Sequence, residues 1–278
     1  LSILFFGCIA FLNNRYTVAE YSVSTTLLIR DDNNTQLGAE NLLEGLELFS
    51  GKKNLKNEIV ILSSYSLFEK VIEELNLGIS YYQHGFLQTN ELFGNSPFKV
   101  EVDSSHLQLT GVNFKIIPLN NEEFTLSIST SNEYPYNILN KHLEKSLKSD
   151  IDIEEKHTFN SLIETEFYSF TIHTTNHFNL EQIIENDKYF SFKLHQTDKL
   201  ANKLIQNVII NPINKETSIL KLNIRERTPN KNIHILNKIT EIYIRSGLDE
   251  KNLMAINTIH FIDQQLTIIK DSLSVIER

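Results

Sequence analysis

His173 and His177 stand four residues apart, the spacing that on a helix sets two imidazoles on one face and within reach of one metal ion. Their neighbours Thr171, Ile172, Thr174 and Thr175 favour strand and loop, where that spacing loses its meaning, and no H-E-x-x-H run accompanies the pair. The acids cluster as neighbours in Glu73-Glu74, Asp150 to Glu155 and Asp249-Glu250. Adjacent acids on helices and loops are solvated surface, and no base set against them suggests the carboxylate pair of glycoside hydrolysis. The chain has no G-x-x-x-x-G-K-[ST] loop, and its nine glycines form no dinucleotide fingerprint. Cys8 is the single cysteine and lies in an apolar run, so the body of the chain has no thiol for a disulfide, a zinc site or a nucleophile. The residues therefore assign no catalytic group, no metal ligand and no cofactor.

With chemistry that thin, the charged runs become candidates for contact. Lys52-Lys53, Lys141 to Lys148 and Arg225-Glu226-Arg227 mix both signs, as exposed surface does. Arg225, Glu226 and Arg227 are the best placed for a subunit interface, at the junction of a core strand and a long helix. The formal net charge of -9 excludes a partner gripped through phosphates, because nucleic-acid affinity comes from Lys and Arg displacing counterions. A hydrophobic fraction of 41% over 278 residues is enough for one sizeable domain or two small ones.

The elements that must position these residues start with Leu1 to Leu12 (LSILFFGCIAFL), an apolar run without a leading Met that ends at Asn13, Asn14 and Arg15. A dozen helical residues rise about 18 Å against a hydrocarbon core of about 30 Å, so this run reads as the outer end of a transmembrane helix. It offers no small-residue cleavage site. Tyr21 to Ile29 is β-branched and aromatic and reads as a strand. A short helix follows over Leu37 to Phe49, and a second helical region over Asn54 to Leu77, with Ser66-Leu67-Phe68-Glu69 as a capping box. Strands are expected over Ile79 to Gln83 and Phe98 to Val102, and hairpin-like runs over Phe114 to Ile117, Phe124 to Ser129 and Phe167 to Thr174. Beyond the strand Tyr189 to Leu194, Thr197 caps a helix to about Gln206. Ser218 to Arg225 alternates Leu220, Leu222 and Ile224 with polar neighbours as a half-buried strand. After Pro229 the chain is helical, with a break or bend at Gly247.

The expected class is α+β, or mixed α/β. A membrane-proximal α/β domain spans 16–110 and 187–228, a β-rich insert 111–186, and a long helix 229–278 that enters a coiled coil. Ile259, Ile262, Leu266, Ile269, Leu273 and Ile276 alternate three and four apart, the repeat that lays one apolar stripe along a helix for another helix to pack on. With Asp263, Gln264, Gln265, Lys270, Asp271 and Ser272 beside it, the stripe is expected to belong to a projecting helix. Its partner is then the returning helix of the same chain or a neighbouring subunit.

This order of parts resembles the polysaccharide co-polymerases, the Wzz-like chain-length determinants and the related periplasmic regions of bacterial tyrosine autokinases for exopolysaccharide export. Three stretches carry the likeness: Tyr21 to Ile29; Leu55 to Tyr82, with Ile59, Ile61, Leu62, Ser64, Leu75, Leu77 and Tyr81; and Pro229 to Glu277, with Leu236-Asn237, Tyr243, Lys251-Asn252, Ala255, Thr258 and Phe261 to Leu266. The resemblance implies two inner-membrane helices flanking a periplasmic α/β domain with projecting helices. It also implies a homo-oligomeric ring that regulates the chain length and export of capsular polysaccharide, exopolysaccharide or O-antigen. The partners it implies are further copies of the chain, the polysaccharide polymerase or outer-membrane export channel, and lipid at the N-terminus, in the bacterial inner membrane with this region periplasmic. Two other functions stay open at this point. One is the external domain of an ATP-dependent protein-tyrosine autokinase whose kinase part lies elsewhere; the other is a periplasmic adaptor of a secretion or efflux system, for which the paired-glycine lipoyl half-motif is missing.

Overall fold

Alternation of Leu220, Leu222 and Ile224 with Lys221, Asn223 and Arg225 sends the first set to one face of a strand and the second to the other. That strand, β15 (Ile219–Glu226), is the middle of a three-stranded antiparallel sheet. On one side it pairs with β1 (Tyr21–Leu28), Tyr21 opposite Glu226 and Leu28 opposite Ile219. On the other it pairs with β14 (Val208–Pro212). The computed structural model describes residues 5–7, 19–29, 50–85, 88–145, 149–185, 189–214 and 217–276, and within them it is an α+β fold with a long C-terminal helix.

Helices cover the apolar face of this sheet. In α2 (Tyr65–Glu74) Leu67, Phe68, Val71 and Ile72 repeat at helical spacing and are buried. The helix α4 (Thr197–Asn207) contributes Ala201 and Leu204, and α5 (Pro229–Ile276) contributes Ile235, Leu236, Ile239 and Ile242. From α1 (Ser50–Leu62) Leu62 is buried and Leu55 and Ile59 pack alongside. Together with Leu27, Leu220, Leu222 and Ile224 these residues make the first core. Of the residues expected inside, Leu75 is half-buried and Val71, Ile72, Leu220, Leu222 and Ile224 are fully buried.

Several local expectations are corrected. The helical region 54–77 is two helices broken at Ser63-Ser64, and Ser64, not Ser66, holds the N-cap position of α2, without a side-chain capping bond. Gln196 rather than Thr197 precedes the first turn of α4; its amide is spent on the Thr110 hydroxyl instead, at 2.8 Å. Gly247 does not interrupt α5, which runs unbroken for 48 residues; with the i→i−4 ladder intact on both sides, one glycine costs the helix about 1 kcal/mol and no more. The expected helix at Leu37 to Phe49 lies outside the described residues. Of Leu1 to Leu12 only Phe5 to Gly7 are described; they are helical, with both phenylalanines exposed. No described helix is long and apolar enough to cross a membrane.

The second core is built mainly from strands, with Ile183 of a short helix joining it. A six-stranded sheet runs in the order β10-β7-β6-β13-β2-β3, formed by β2 (Ile79–His84), β3 (Thr89–Leu92), β6 (Asn113–Pro118), β7 (Glu123–Glu133), β10 (Ser149–Thr158) and β13 (Tyr189–Leu194). A three-stranded sheet, β11 (Leu162–Glu164), β12 (Ser169–Thr174) and β4 (Phe98–Val102), shares the same core. Its centre is aromatic: Phe114 stacks on Phe192 with centroids 4.7 Å apart and meets Phe170 edge-on at 5.3 Å, the two favoured ring geometries. A small sheet of β5 (Leu107–Gln108), β8 (Tyr136–Asn137) and β9 (His142–Leu143), and the helix α3 (Leu180–Glu185), complete the described elements. Strand β13 lies between β2 and β6, so strands before residue 111 and after residue 186 share one sheet with those between. The chain enters and leaves this body side by side, where the His195 amide donates to the Gly78 carbonyl at 2.8 Å.

Candidate functional site

The long helix is the feature that most distinguishes this molecule, and its two parts have opposite environments. The root, Pro229 to Tyr243, presses Ile235, Leu236, Ile239 and Ile242 into the first core. Beyond it, every described side chain from Ile244 to Lys270 is exposed. From Tyr243 to Ile276 the stem extends about 50 Å at about 1.5 Å per residue.

Three carboxylates from three different elements hold the root. On β3, Glu91 receives the Lys231 ammonium, the Thr228 hydroxyl on Oε2 at 3.2 Å and the Ser80 hydroxyl on Oε1 at 3.1 Å. On α2, Glu74 receives Arg245 and, at 3.4 Å, Lys238. On α1, Glu58 accepts the Tyr243 hydroxyl at 2.7 Å. The Glu91 group is the most enclosed, with side-chain exposures of 20% for Glu91 and 12% for Lys231. Burial pushes the Glu91 carboxyl up, but the Lys231 charge and the hydrogen bonds from Lys231, Ser80 and Thr228 outweigh it and hold the group below its ordinary value. Next to it, His195 Nε2 lies 2.9 Å from the Ser80 hydroxyl. Burial first, then the nearby Lys231 and Lys193 charges, lower that imidazole to about 4. Tyr243 is pushed up by burial and by Glu58.

A cleft of about 390 Å³ opens beside this group, walled by Leu75, Leu77, Tyr81 and Phe93 with Glu91 and Lys231 among its lining. Its chemistry is that of a clamp. The Glu91 carboxylate already accepts three donors, so it is not placed as a general base. Among the described residues no group of three His, Cys, Asp or Glu side chains can hold a metal ion.

His173 lies on β12 with Nδ1 2.9 Å from Asn160 Oδ1 and Nε2 3.3 Å from Glu101, while His177 sits in the turn beyond, its amide donating to the Thr175 hydroxyl. Asp150 to Glu155 belong to β10, an edge strand of the six-stranded sheet. Glu73 is exposed, whereas Glu74 is part of the clamp on the root.

The interface candidates divide into two groups. Arg225, Glu226 and Arg227 end β15 beside the start of β1: Arg225 pairs with Glu20 at 3.2 Å, Glu226 accepts from Asn207 Nδ2 at 2.7 Å, and Arg227 is exposed. Ile259, Ile262, Leu266 and Ile269 lie on the stem, 49% to 59% exposed. The side chains of Leu273 and Ile276 lie outside those described. One expectation about the stem needs correction: its flanks are not purely polar. Met254, Phe261 and Ile268, also 55% to 59% exposed, recur every seven residues about 100° from the Ile262-Ile269 line. The uncharged face is therefore broader than a two-stranded coiled-coil stripe needs.

Sequence reasoning missed the Glu91 clamp, since Glu91, Lys231 and Ser80 are joined only by tertiary structure. The one available signal was an acid in the otherwise uncharged run Thr89 to Phe93. No known family model matches the chain, and no curated protein matches it.

Proposed function

We propose that this chain is the periplasmic part of a polysaccharide co-polymerase, an oligomeric inner-membrane scaffold that regulates the chain length and export of a bacterial surface polysaccharide. The observation that carries the reading is the stem: a 48-residue helix whose root is buried and whose outer part exposes Ile256, Ile259, Phe261, Ile262, Leu266, Ile268 and Ile269 to solvent. Large contiguous apolar surfaces of this kind are found where a protein meets another protein. The role proposed is architectural, with copies of the chain grouped through their stems and the β-rich body spaced around them. No residue is assigned a catalytic part.

The test replaces both Ile262 and Leu266 with Glu in the full-length protein, in its own host. The scaffold reading expects loss of the assembled state in membrane extracts and an altered length distribution of surface polysaccharide on gels, with the amount of protein unchanged. Normal assembly together with a normal length distribution overturns it.

A further inference from the structure

An exposed strand edge carries a row of unpaired backbone donors and acceptors, and proteins that stay monomeric blunt such edges with charges, proline or brevity. The described edges of this molecule follow that rule with one exception. Strand β10 carries Asp150, Asp152, Glu154, Glu155 and Lys156; β4 carries Lys99 and Glu101; β14 ends on Pro212; β11 has three residues and β5 and β9 two each. Short β3 carries Glu91. Strand β1 is eight residues long with no charge, no proline and no glycine, and it is the outer strand of its sheet.

Among the described residues, the ladder with β15 leaves one set of β1 backbone groups without a partner. The Ile29 amide donates to the Ser218 carbonyl at 2.8 Å, and pairing alternates between bonded and non-bonded positions along antiparallel strands. Residues 21, 23, 25, 27 and 29 thus exchange bonds with β15, while the backbone groups of Ser22, Ser24, Thr26 and Leu28 point to the open edge. The side chains of those same four residues are exposed.

We infer that the open edge of β1 pairs antiparallel with β1 of a second copy of this chain, about a two-fold axis at Thr25. This register alone gives all four free residues a partner, Ser22 with Leu28 and Ser24 with Thr26. On the opposite face it sets Val23 against Leu27, both in the first core, and the exposed Tyr21 against Ile29. Hydroxyl and apolar cross-strand pairs of these kinds are stabilising. The contact is isologous and closes at two copies. It does not rest on the scaffold reading and is independent of the stem; a larger assembly would be built from such pairs.

The test uses the 278-residue chain with Cys8→Ser as background. Sedimentation should give at least twice 32.2 kDa. At the axis, Thr25 faces Thr25 of the partner at a non-bonded position, where Cα atoms lie about 4.5 Å apart, within the range a disulfide spans. Thr25→Cys should therefore form a covalent dimer under mild oxidation, and Val23→Cys, which faces Leu27, should not. Ser24→Pro removes an edge amide that β15 does not use, and Thr26→Lys places a charge on the edge. Each should lower the sedimenting mass below that of the parent chain and, combined with Thr25→Cys, abolish the covalent dimer, with an unchanged far-ultraviolet spectrum, and Thr26→Lys serves alone if Ser24→Pro disturbs the strand. A parent chain that sediments at its own mass up to its solubility limit overturns the inference. So does cross-linking through Val23→Cys but not Thr25→Cys.

Discussion

Replacing Glu91 with Ala tests whether the root of the long helix is clamped by charge. The carboxylate accepts from Lys231, Thr228 and Ser80, and Lys231 is 12% exposed, so the variant leaves an ammonium nearly out of water with its counter-charge gone. Removing one partner of a buried pair costs about 3 to 5 kcal/mol, most of it the stranded charge. Removing both partners in Glu91→Met, Lys231→Met restores apolar contacts and deletes the stranded charge, so the double variant should lose about 2 kcal/mol less than Glu91→Ala. The chain has no tryptophan, so urea unfolding is best followed by circular dichroism and tyrosine emission together, which also shows whether the two cores unfold as one. A Glu91→Ala loss below about 1 kcal/mol, the range of an exposed pair, would refute the clamp.

Leu222 is fully buried in the first core, and Leu222→Ala should cost about 2 to 5 kcal/mol in the same urea assay. The Asn232 side chain is fully buried on α5 with neither its oxygen nor its nitrogen bonded; Asn232→Leu should stabilise the fold by about 1 to 3 kcal/mol, the desolvation penalty of the orphaned amide. His195 is lowered by burial from its ordinary value to about 4, so between about pH 6.5 and 4 the unfolded chain binds a proton that the folded chain does not. Stability should therefore fall as pH drops through that window, by on the order of 3 kcal/mol in total, and a His195→Gln variant should lose that slope. The groups facing His195 are Lys231, Lys193, Lys203 and Glu91; Glu91, held low, adds its own loss as pH falls below its ordinary value of 4.5.

The parts of the fold that were legible in the sequence are those where one periodicity dominates over many residues. Strand β15 was readable because Leu220, Leu222 and Ile224 alternate with polar residues, and α5 because Ile and Leu recur at helical spacing for dozens of residues. Strand β10 was missed because Asp150 to Glu155 look like a solvated acidic loop, although Ile151 and Ile153 alternate with Asp150, Asp152 and Glu154 as an edge strand requires. The cap residues were misplaced by one or two positions: Ser64 and Ser66 are the same residue type, and Gln196 holds the position before α4 although Thr197 is the better capping residue, because its amide is held by Thr110. The clamp was invisible because Ser80 and Glu91 lie about 140 residues from Thr228 and Lys231 along the chain, and only the fold brings the two pairs together.

The side-by-side entry and exit of the β-rich body, with His195 bonded to Gly78, bears on the order in which the chain folds. The first core draws mainly on residues 23–29, 55–77 and 200–243, the last two separated by more than a hundred residues, and joining such distant pieces through a floppy loop costs on the order of 4 kcal/mol in chain entropy. The β-rich body is made largely of neighbouring hairpins, such as β6 with β7 and β2 with β3, whose contacts are local. Once β2 and β13 are zipped together, the two distant pieces are already tethered at one point and the remaining search is short. The least costly route is therefore from the middle of the chain outward, with the root of the long helix docking last because it needs Glu58, Glu74 and Glu91 all in place.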